Sequence, residues 1–276
     1  MRRLRRQAIL SRSNRSLPLP ILLAILFFIM AAFYAAVGFG GGSTYNALLV
    51  LNGTDYRILP SIALGCNIIV VTGGVIRFWQ AGHLRIARLV PFLAASIPAA
   101  WIGGRLPVSE TMFVGLLGGA LLLSGLHLVF QSAPEATSSH DENKASSIIS
   151  LTVGGSIGLV SGLVGIGGGI FLAPVLYMLK WGPPRQIAAA CSLFILANSL
   201  SGLTGQFMKL QDTEVLALVL PYWPLLPAVL VGGQIGSWFA AQGLQAKWIK
   251  RLTAVLILYV ACRLILRWVS LAGLIG

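Results

Sequence analysis

The sequence predicts an all-α polytopic membrane protein with about eight transmembrane helices in two repeated four-helix halves, each with a glycine-broken helix. The first observation is composition, because 57% of the residues are hydrophobic and only 10% are charged. A soluble domain carries about 25% charged residues, so this chain cannot cover a soluble surface. The other two observations are that the apolar residues form long blocks and that one order of features occurs twice along the chain.

The chain begins with a basic arm. Residues 1–16 contain six arginines and precede the apolar run 17–37. That run is longer than the apolar core of a signal peptide, about 7–15 residues, and no small-residue cleavage site follows it. We therefore interpret it as an uncleaved first span whose basic arm lies in the cytoplasm.

Eight apolar segments are long enough to cross about 30 Å of hydrocarbon, which takes about 20 helical residues. They are residues 17–37, 58–79, 86–104, 111–131, 148–166, 186–205, 215–240 and 248–272. Two further apolar runs, 43–51 and 170–179, are too short to span alone and predict half-helices or re-entrant segments. Backbone breaks at membrane depth only where protein or a cavity satisfies its polar groups.

A polar linker divides the chain. Residues 132–147 contain three of the seven acidic residues and separate a first transmembrane repeat, 17–131, from a second, 148–276. The composition of the linker is typical of a solvated loop.

The two halves contain the same features in the same order. The segment Gly38-Phe39-Gly40-Gly41-Gly42 matches Gly165-Ile166-Gly167-Gly168-Gly169, and a short apolar run follows each. Further along, Asn67 and Ser192 occupy equivalent positions. Duplication of a four-span unit explains this recurrence, and internal repeats are a common ground plan of transporters.

The relative orientation of the halves is open. Eight simple spans make the halves parallel, which is the first expectation. That arrangement places Lys180, Arg185 and Lys247 outside, whereas basic loops favour the cytoplasm. An inverted second half removes the conflict if a re-entrant segment in one half counts as a crossing.

We expect the substrate at the paired glycine motifs. A helix that breaks and restarts there exposes free N–H groups at its positive end, which binds anions without a charged side chain. Broken helices in matching positions of two halves are the best sequence pointer to a transport site. The candidate substrate-binding residues are Gly38, Gly40, Gly41, Gly42, Asn46, Asn67, Gly165, Gly167, Gly168, Gly169, Ser192 and Asn198. Two alternatives are close helix packing through glycine and a nucleotide loop, although both motifs lack the GK[ST] ending of a P-loop.

The placement of the charges favours an anionic substrate. All seven acids lie in predicted loops or at span ends, whereas cation transporters and proton relays usually keep a carboxylate near the bilayer centre. Arg77 and Arg105 end their spans beside glycines. They either escort an anion or reach out to the membrane interface.

Several other functions are disfavoured. The net charge of +13 reflects basic residues that flank membrane spans, and no soluble basic face remains to bind nucleic acid. The three cysteines have no metal-ligand spacing, and the chain has no HExxH or GxSxG motif. We therefore expect no catalytic residues, cofactor, metal or nucleic-acid partner.

These motifs resemble those of the TauE/SafE family of sulfite and organosulfonate exporters, also called the toluene-sulfonate uptake permease family. The resemblance rests on the two glycine motifs, on Ala173-Pro174-Val175-Leu176, and on Ser192 after an alanine-rich turn, and it covers about residues 20–272. The first half departs from the pattern, with Ala47 in place of proline and Asn67 in place of serine.

The resemblance implies a secondary transporter of a sulfur-containing or related small anion in a bacterial inner membrane. The motif glycines would form the helix breaks, and Asn67 and Ser192 would lie near the substrate. The coupling ion is open, with a proton and sodium as the candidates, and homo-oligomerisation is open as well. The alternative is an anion channel or a membrane assembly or export partner without a transport cycle of its own.

Overall fold

A computed structural model describes residues 19–36, 38–130, 146–209, 217–240 and 247–273. Every regular element in these ranges is a helix, so the all-α prediction is confirmed for them. The α-helices are α1 (Leu19–Ala36), α2 (Gly42–Leu51), α3 (Leu59–Gln80), α4 (Ile86–Arg105), α5 (Glu110–Phe130), α6 (Ser147–Val164), α7 (Gly169–Met178), α8 (Pro184–Lys209), α9 (Leu225–Ala240) and α10 (Lys247–Leu271). The predicted basic arm 1–16 and most of the predicted linker 132–147 lie outside the described residues.

Six of the described helices are long and apolar enough to cross a membrane. These segments are Leu59–Gln80, Ile86–Arg105, Glu110–His127, Ser147–Val164, Pro184–Lys209 and Ala254–Leu271. The chain is therefore a multi-pass membrane protein. The other two predicted spans correspond to α1 and α9, which have 18 and 16 residues. Eight spans are not confirmed, and the division into two repeats stays a prediction.

Two short helices follow the glycine motifs. Helices α2 and α7 have ten residues each, about 15 Å at 1.5 Å per residue. That is roughly half the thickness of the hydrocarbon core. They coincide with the two short apolar runs from which the sequence predicts half-helices.

Glycines bring α4 and α6 into backbone contact. A Cβ built on Gly154 would strike the carbonyl of Phe92, and one built on Gly162 would strike the carbonyl of Ala100. Both members of these pairs advance together along the chain, so the two helices run in the same direction. Such close packing through small residues is typical of membrane helices.

Two groups of parallel helices emerge from contacts of this kind. The defining pairs are Phe28–Gly232 and Ala32–Gly236 for α1 and α9, Gly65–Leu226 and Gly73–Gln234 for α3 and α9, and Ile97–Ser201 and Trp101–Gly205 for α4 and α8. Helices α1, α3 and α9 therefore share one direction. Helices α4, α6 and α8 share another. We call these groups the first bundle and the second bundle, and each contains helices from both halves of the chain.

The two bundles run in opposite directions. Leu64 contacts Gly202 near one end of α3, and Gly74 lies beside Ser192 near the other, so α3 and α8 are antiparallel. These helices occupy equivalent positions in the two halves. The first expectation, parallel halves, is therefore wrong, because it requires equivalent helices to share a direction. The inverted arrangement agrees with the observed directions.

The helix directions also sort the connections between two faces. The end of α3, the start of α4 and the start of α8 lie at one face, which we call the basic face because it carries Arg85, Lys180 and Arg185. In the parallel arrangement these basic residues were divided between the two sides of the membrane. Helix α1 begins at the opposite face, since it is parallel to α3.

Candidate functional site

The two glycine breaks meet inside the protein. A Cβ built on Gly42, the first residue of α2, would lie 2.5 Å from the carbonyl oxygen of Ile166 in the second break. The motif glycines of both halves are buried. The structure therefore brings together the two segments that the sequence pairs only by their similarity.

Each short helix begins with backbone N–H donors that have no acceptor within the helix. Gly41 and Gly168 precede the helices with φ of 88° and 81°, a left-handed conformation that favours glycine, and no side chain among the described residues caps either helix. The first backbone bonds to the Gly41 carbonyl come from Thr44 and Tyr45. The N–H groups ahead of them have no acceptor within the helix. Both helix starts therefore present donors and a partial positive charge.

Asn67 lies between the two breaks. Its Nδ2 donates to the carbonyl of Ile166 at 3.2 Å. Its Oδ1 would be 2.6 Å from a Cβ on Gly40, and its Nδ2 would be 2.8 Å from a Cβ on Gly167. The side chain is fully buried, and Oδ1 has no hydrogen-bond partner among the described residues. One amide from α3 thus contacts both broken segments.

Ser192 makes the corresponding contact from α8. Its Oγ donates to the carbonyl of Gly38 at 2.5 Å and is 3.0 Å from the carbonyl of Ala188. Asn67 in the first half therefore holds the second break, and Ser192 in the second half holds the first. Asn67 and Ser192, which occupy equivalent positions in the two halves of the sequence, thus each bond the glycine break of the other half. We call this pair of contacts the cross-tie.

Three amide side chains converge on the end of α6. Asn46 on α2 donates to the carbonyl of Val164 at 3.1 Å, and Gln206 on α8 donates to that of Gly162 at 2.9 Å. Asn67 supplies the third amide. These bonds satisfy carbonyls that the end of a helix leaves without partners. The carbonyl oxygens of all three amides are themselves buried without a partner in the described part of the chain.

More unsatisfied polar atoms lie near the second break. Asn198 is fully buried, and neither of its amide atoms has a partner among the described residues. Ser199 Oγ, also without one, would lie 3.4 Å from a Cβ on Gly167. Ser161 lies beside Gly168 on α6, and its Oγ is likewise unsatisfied. Buried polar groups are normally hydrogen-bonded, so such a group calls for water or a ligand.

Two tyrosines at the first break are missing from the residues proposed from sequence. Tyr34 Oη lies 2.7 Å from Thr44 Oγ1. The Tyr45 hydroxyl would be 3.1 Å from a Cβ on Gly41, and it has no partner among the described residues. The polar run 43–46 directly after the glycines was the available signal. Tyr34 lies at the break because α1 packs beside the start of α2, where its hydroxyl meets Thr44. The sequence around Tyr34 gives no corresponding signal.

Two carboxylates of the described residues form ion pairs with arginines, and both lie at the surface, away from the breaks. Asp55 pairs with Arg57 at 2.6 Å, and Glu110 pairs with Arg267. The hydrogen bond from Arg57 lowers the pKa of the Asp55 carboxyl. The side chains that surround the breaks are neutral.

The two arginines named from the sequence differ in their surroundings. Arg105 stacks over Trp101, with its guanidinium carbon 5.2 Å from the ring centroid. Arg77 instead reaches across to Ser237 and Gln234 on α9.

Comparison with known proteins gives one family and one curated relative. A family profile described as "Sulfite exporter TauE/SafE" matches residues 22–264. The chain is 32% identical over 244 residues to a protein of Sinorhizobium fredii (strain NBRC 101917 / NGR234) named "Probable membrane transporter protein y4hK". That alignment covers 88% of this chain and 97% of the relative. No solved structure matches the chain.

Proposed function

We propose, because the chain belongs to the sulfite exporter TauE/SafE family, that it is a secondary transporter of a small oxyanion across a bacterial inner membrane. Sulfite, an organosulfonate or a related sulfur oxyanion is the proposed substrate. The family and the curated relative, which is named as a probable membrane transporter, support transport as the activity. The choice of an oxyanion is supported by the site.

One observation carries this proposal: two uncapped helix starts lie close together inside the protein. The positive ends of broken helices hold anionic groups in transporters of other folds. An oxyanion between α2 and α7 would accept hydrogen bonds from free backbone N–H groups. Asn67 and the buried hydroxyls around the breaks would supply further donors. A cation would lack the carboxylate that usually neutralises it at this depth.

The proposed transport cycle moves the first bundle against the second. Helix α4 packs most extensively on α6, and α1 on α9, whereas α3 and α8 join the bundles. Asn67 and Ser192 lie on these two joining helices. A movement between the bundles would therefore rearrange the contacts of both residues with the breaks and open the site to alternate faces.

Uptake into liposomes tests the function. The purified protein should take up radiolabelled sulfite or a simple sulfonate with saturable kinetics, and sulfate serves as a comparison anion. Gly168→Leu should abolish uptake, because Gly168 has φ of 81° and a Cβ there would lie 2.8 Å from Ile157 and 3.0 Å from Phe194.

Gly119→Leu is the matched control, since a Cβ on Gly119 meets no atom of the described segments within 4 Å. It should retain uptake, and both variants should insert and purify like the parent protein. Normal uptake by Gly168→Leu would contradict the site. Flux that does not saturate would identify a channel, and no flux of any tested anion under a proton or sodium gradient would contradict the transporter.

A further inference from the structure

Arg77 is the cationic residue of α3, the helix whose Asn67 contacts both glycine breaks. It lies in the last turn of α3, and its two terminal nitrogens reach α9. Nη1 donates to Ser237 Oγ, and Nη2 donates to Gln234 Oε1 at 3.0 Å. The residue is exposed, and it lies at the end of α3 that belongs to the basic face.

Within the part of the chain that the structure describes, no acidic side chain pairs with Arg77. Both of its partners are neutral, whereas Asp55 pairs with Arg57 and Glu110 pairs with Arg267. A guanidinium offers a planar set of donors that matches an oxyanion in a two-point contact. Hydroxyl and amide partners satisfy those donors without cancelling the charge, so an anion would compete with them favourably.

A line of contacts leads from Arg77 to the first break. Gln234 packs against Gly73, with its Nε2 2.9 Å from the position of a Cβ. The next residue, Gly74, would place a Cβ 3.8 Å from Ser192 Oγ. Ser192 in turn holds the Gly38 carbonyl. Gly73 and Gly74 add no side chains of their own to this stretch of α3, and the side chains of Gln234 and Ser192 lie against them.

We propose that Arg77 is the residue that captures a small oxyanion at the basic face and selects it for the site between the glycine breaks. The oxyanion replaces Gln234 and Ser237 on the guanidinium and then passes Gly73 and Gly74 toward Ser192. This inference rests on the proposed function. It adds a specificity-determining residue outside the breaks and assigns it to one face of the protein.

A purely structural role for Arg77 makes different predictions. If Arg77 only ties α3 to α9, then Ser237→Ala, which removes one partner and keeps the charge, should impair transport as Arg77→Gln does. If the charge captures the anion, Ser237→Ala should keep the KM for the anion or lower it, because the guanidinium is less occupied. Arg77→Lys keeps the charge without the two-point geometry and should lie between the parent and Arg77→Gln.

The experiment measures anion uptake and anion binding separately in the parent, Arg77→Gln, Arg77→Lys, Ser237→Ala and a control, Arg105→Gln. Arg105 is a second arginine at a helix end, but it stacks on Trp101. Uptake of radiolabelled sulfite and ethanesulfonate into liposomes gives KM and the maximal rate. The shift in unfolding temperature that each anion causes in detergent reports binding without flux.

The expected result is a KM about tenfold higher in Arg77→Gln with a retained maximal rate, and a KM within twofold of the parent in Arg105→Gln. A KM within twofold of the parent in Arg77→Gln would overturn the inference. If the parent shows no uptake, the proposed function fails, and the binding measurement decides on Arg77 alone. An anion-induced shift lost in Arg77→Gln and kept in Arg105→Gln supports anion capture, whereas equal or absent shifts in all proteins contradict it.

Discussion

At the scale of the residue, Asn67 is the centre of the candidate site. It contacts both glycine breaks, and its amide nitrogen holds the Ile166 carbonyl. Its importance was predictable because it stands opposite Ser192 in the repeat. Its partners were not predictable, since they depend on how α3 meets the end of α6 in three dimensions. The same holds for Gln206, whose partner Gly162 lies on another helix.

We predict that Asn67→Asp loses anion transport. The substitution keeps the size of the side chain, removes the donor to Ile166, and adds a negative charge between the two helix starts. The new carboxylate and a bound oxyanion would be two negative charges in one buried site, where like charges repel strongly. The maximal rate of uptake should therefore fall at least tenfold.

Uptake by Ser124→Ala in the same liposomes is the comparison. Ser124 is buried on α5 and bonds the carbonyl of Ala120 within its own helix, so its loss should leave uptake near the parent level. Parent-like uptake by Asn67→Asp would exclude an anion from the space between the breaks.

At the scale of the element, the sequence predicts the helix breaks well and the helix contacts poorly. Glycine spacing and the short apolar runs indicate α2 and α7 because the cause is local: the chain needs a left-handed residue to restart a helix. The partners of α4 and α6 depend on contacts between distant segments. Glycines outside the motifs, such as Gly154 and Gly162, carried no interpretation in the sequence, yet they set the closest helix contacts.

We predict that Gly162→Ala destabilises the protein more than Gly155→Ala on the same helix. A Cβ on Gly162 would strike the backbone of Ala100 on α4, whereas one on Gly155 would meet only the Cβ of Ala95 at an ordinary 3.7 Å. Overpacking a tight contact costs about 1–3 kcal/mol. Unfolding of both variants in detergent should show a lower midpoint for Gly162→Ala, and equal midpoints would contradict the α4–α6 contact.

At the scale of the whole molecule, the directions of the helices decide which loops share a face. Sequence hydropathy finds spans, but it does not show that the segment with α2 returns the chain to the face where α1 began, or that the segment with α7 returns it to the opposite face, where α6 began. For that reason the first expectation placed the halves parallel. The basic residues were the available signal, since only an inverted second half gathers Arg85, Lys180 and Arg185 at one face.

We predict that single cysteines at Arg85 and Arg185 react with a membrane-impermeant reagent from the same side of the membrane. Both residues are exposed, and the background would have Cys66, Cys191 and Cys262 replaced. A cysteine at the exposed Leu106, after α4, should react from the other side. Labelling of Arg85→Cys and Arg185→Cys from opposite sides would restore the parallel arrangement. The side from which Arg85→Cys and Arg185→Cys are labelled also shows whether the basic face or the arginine-rich arm lies in the cytoplasm.

The neutrality of the side chains around the breaks has an electrical consequence. A site without charge of its own adds nothing to the charge that crosses with the cargo, so a monovalent anion that moves alone carries one full negative charge. An interior potential of −100 mV contributes about 2.3 kcal/mol per charge, which corresponds to an outward concentration ratio on the order of forty. Export of such an anion therefore runs downhill on the membrane potential, whereas accumulation requires coupling to a second ion, either a cation that accompanies it or an anion that leaves in exchange.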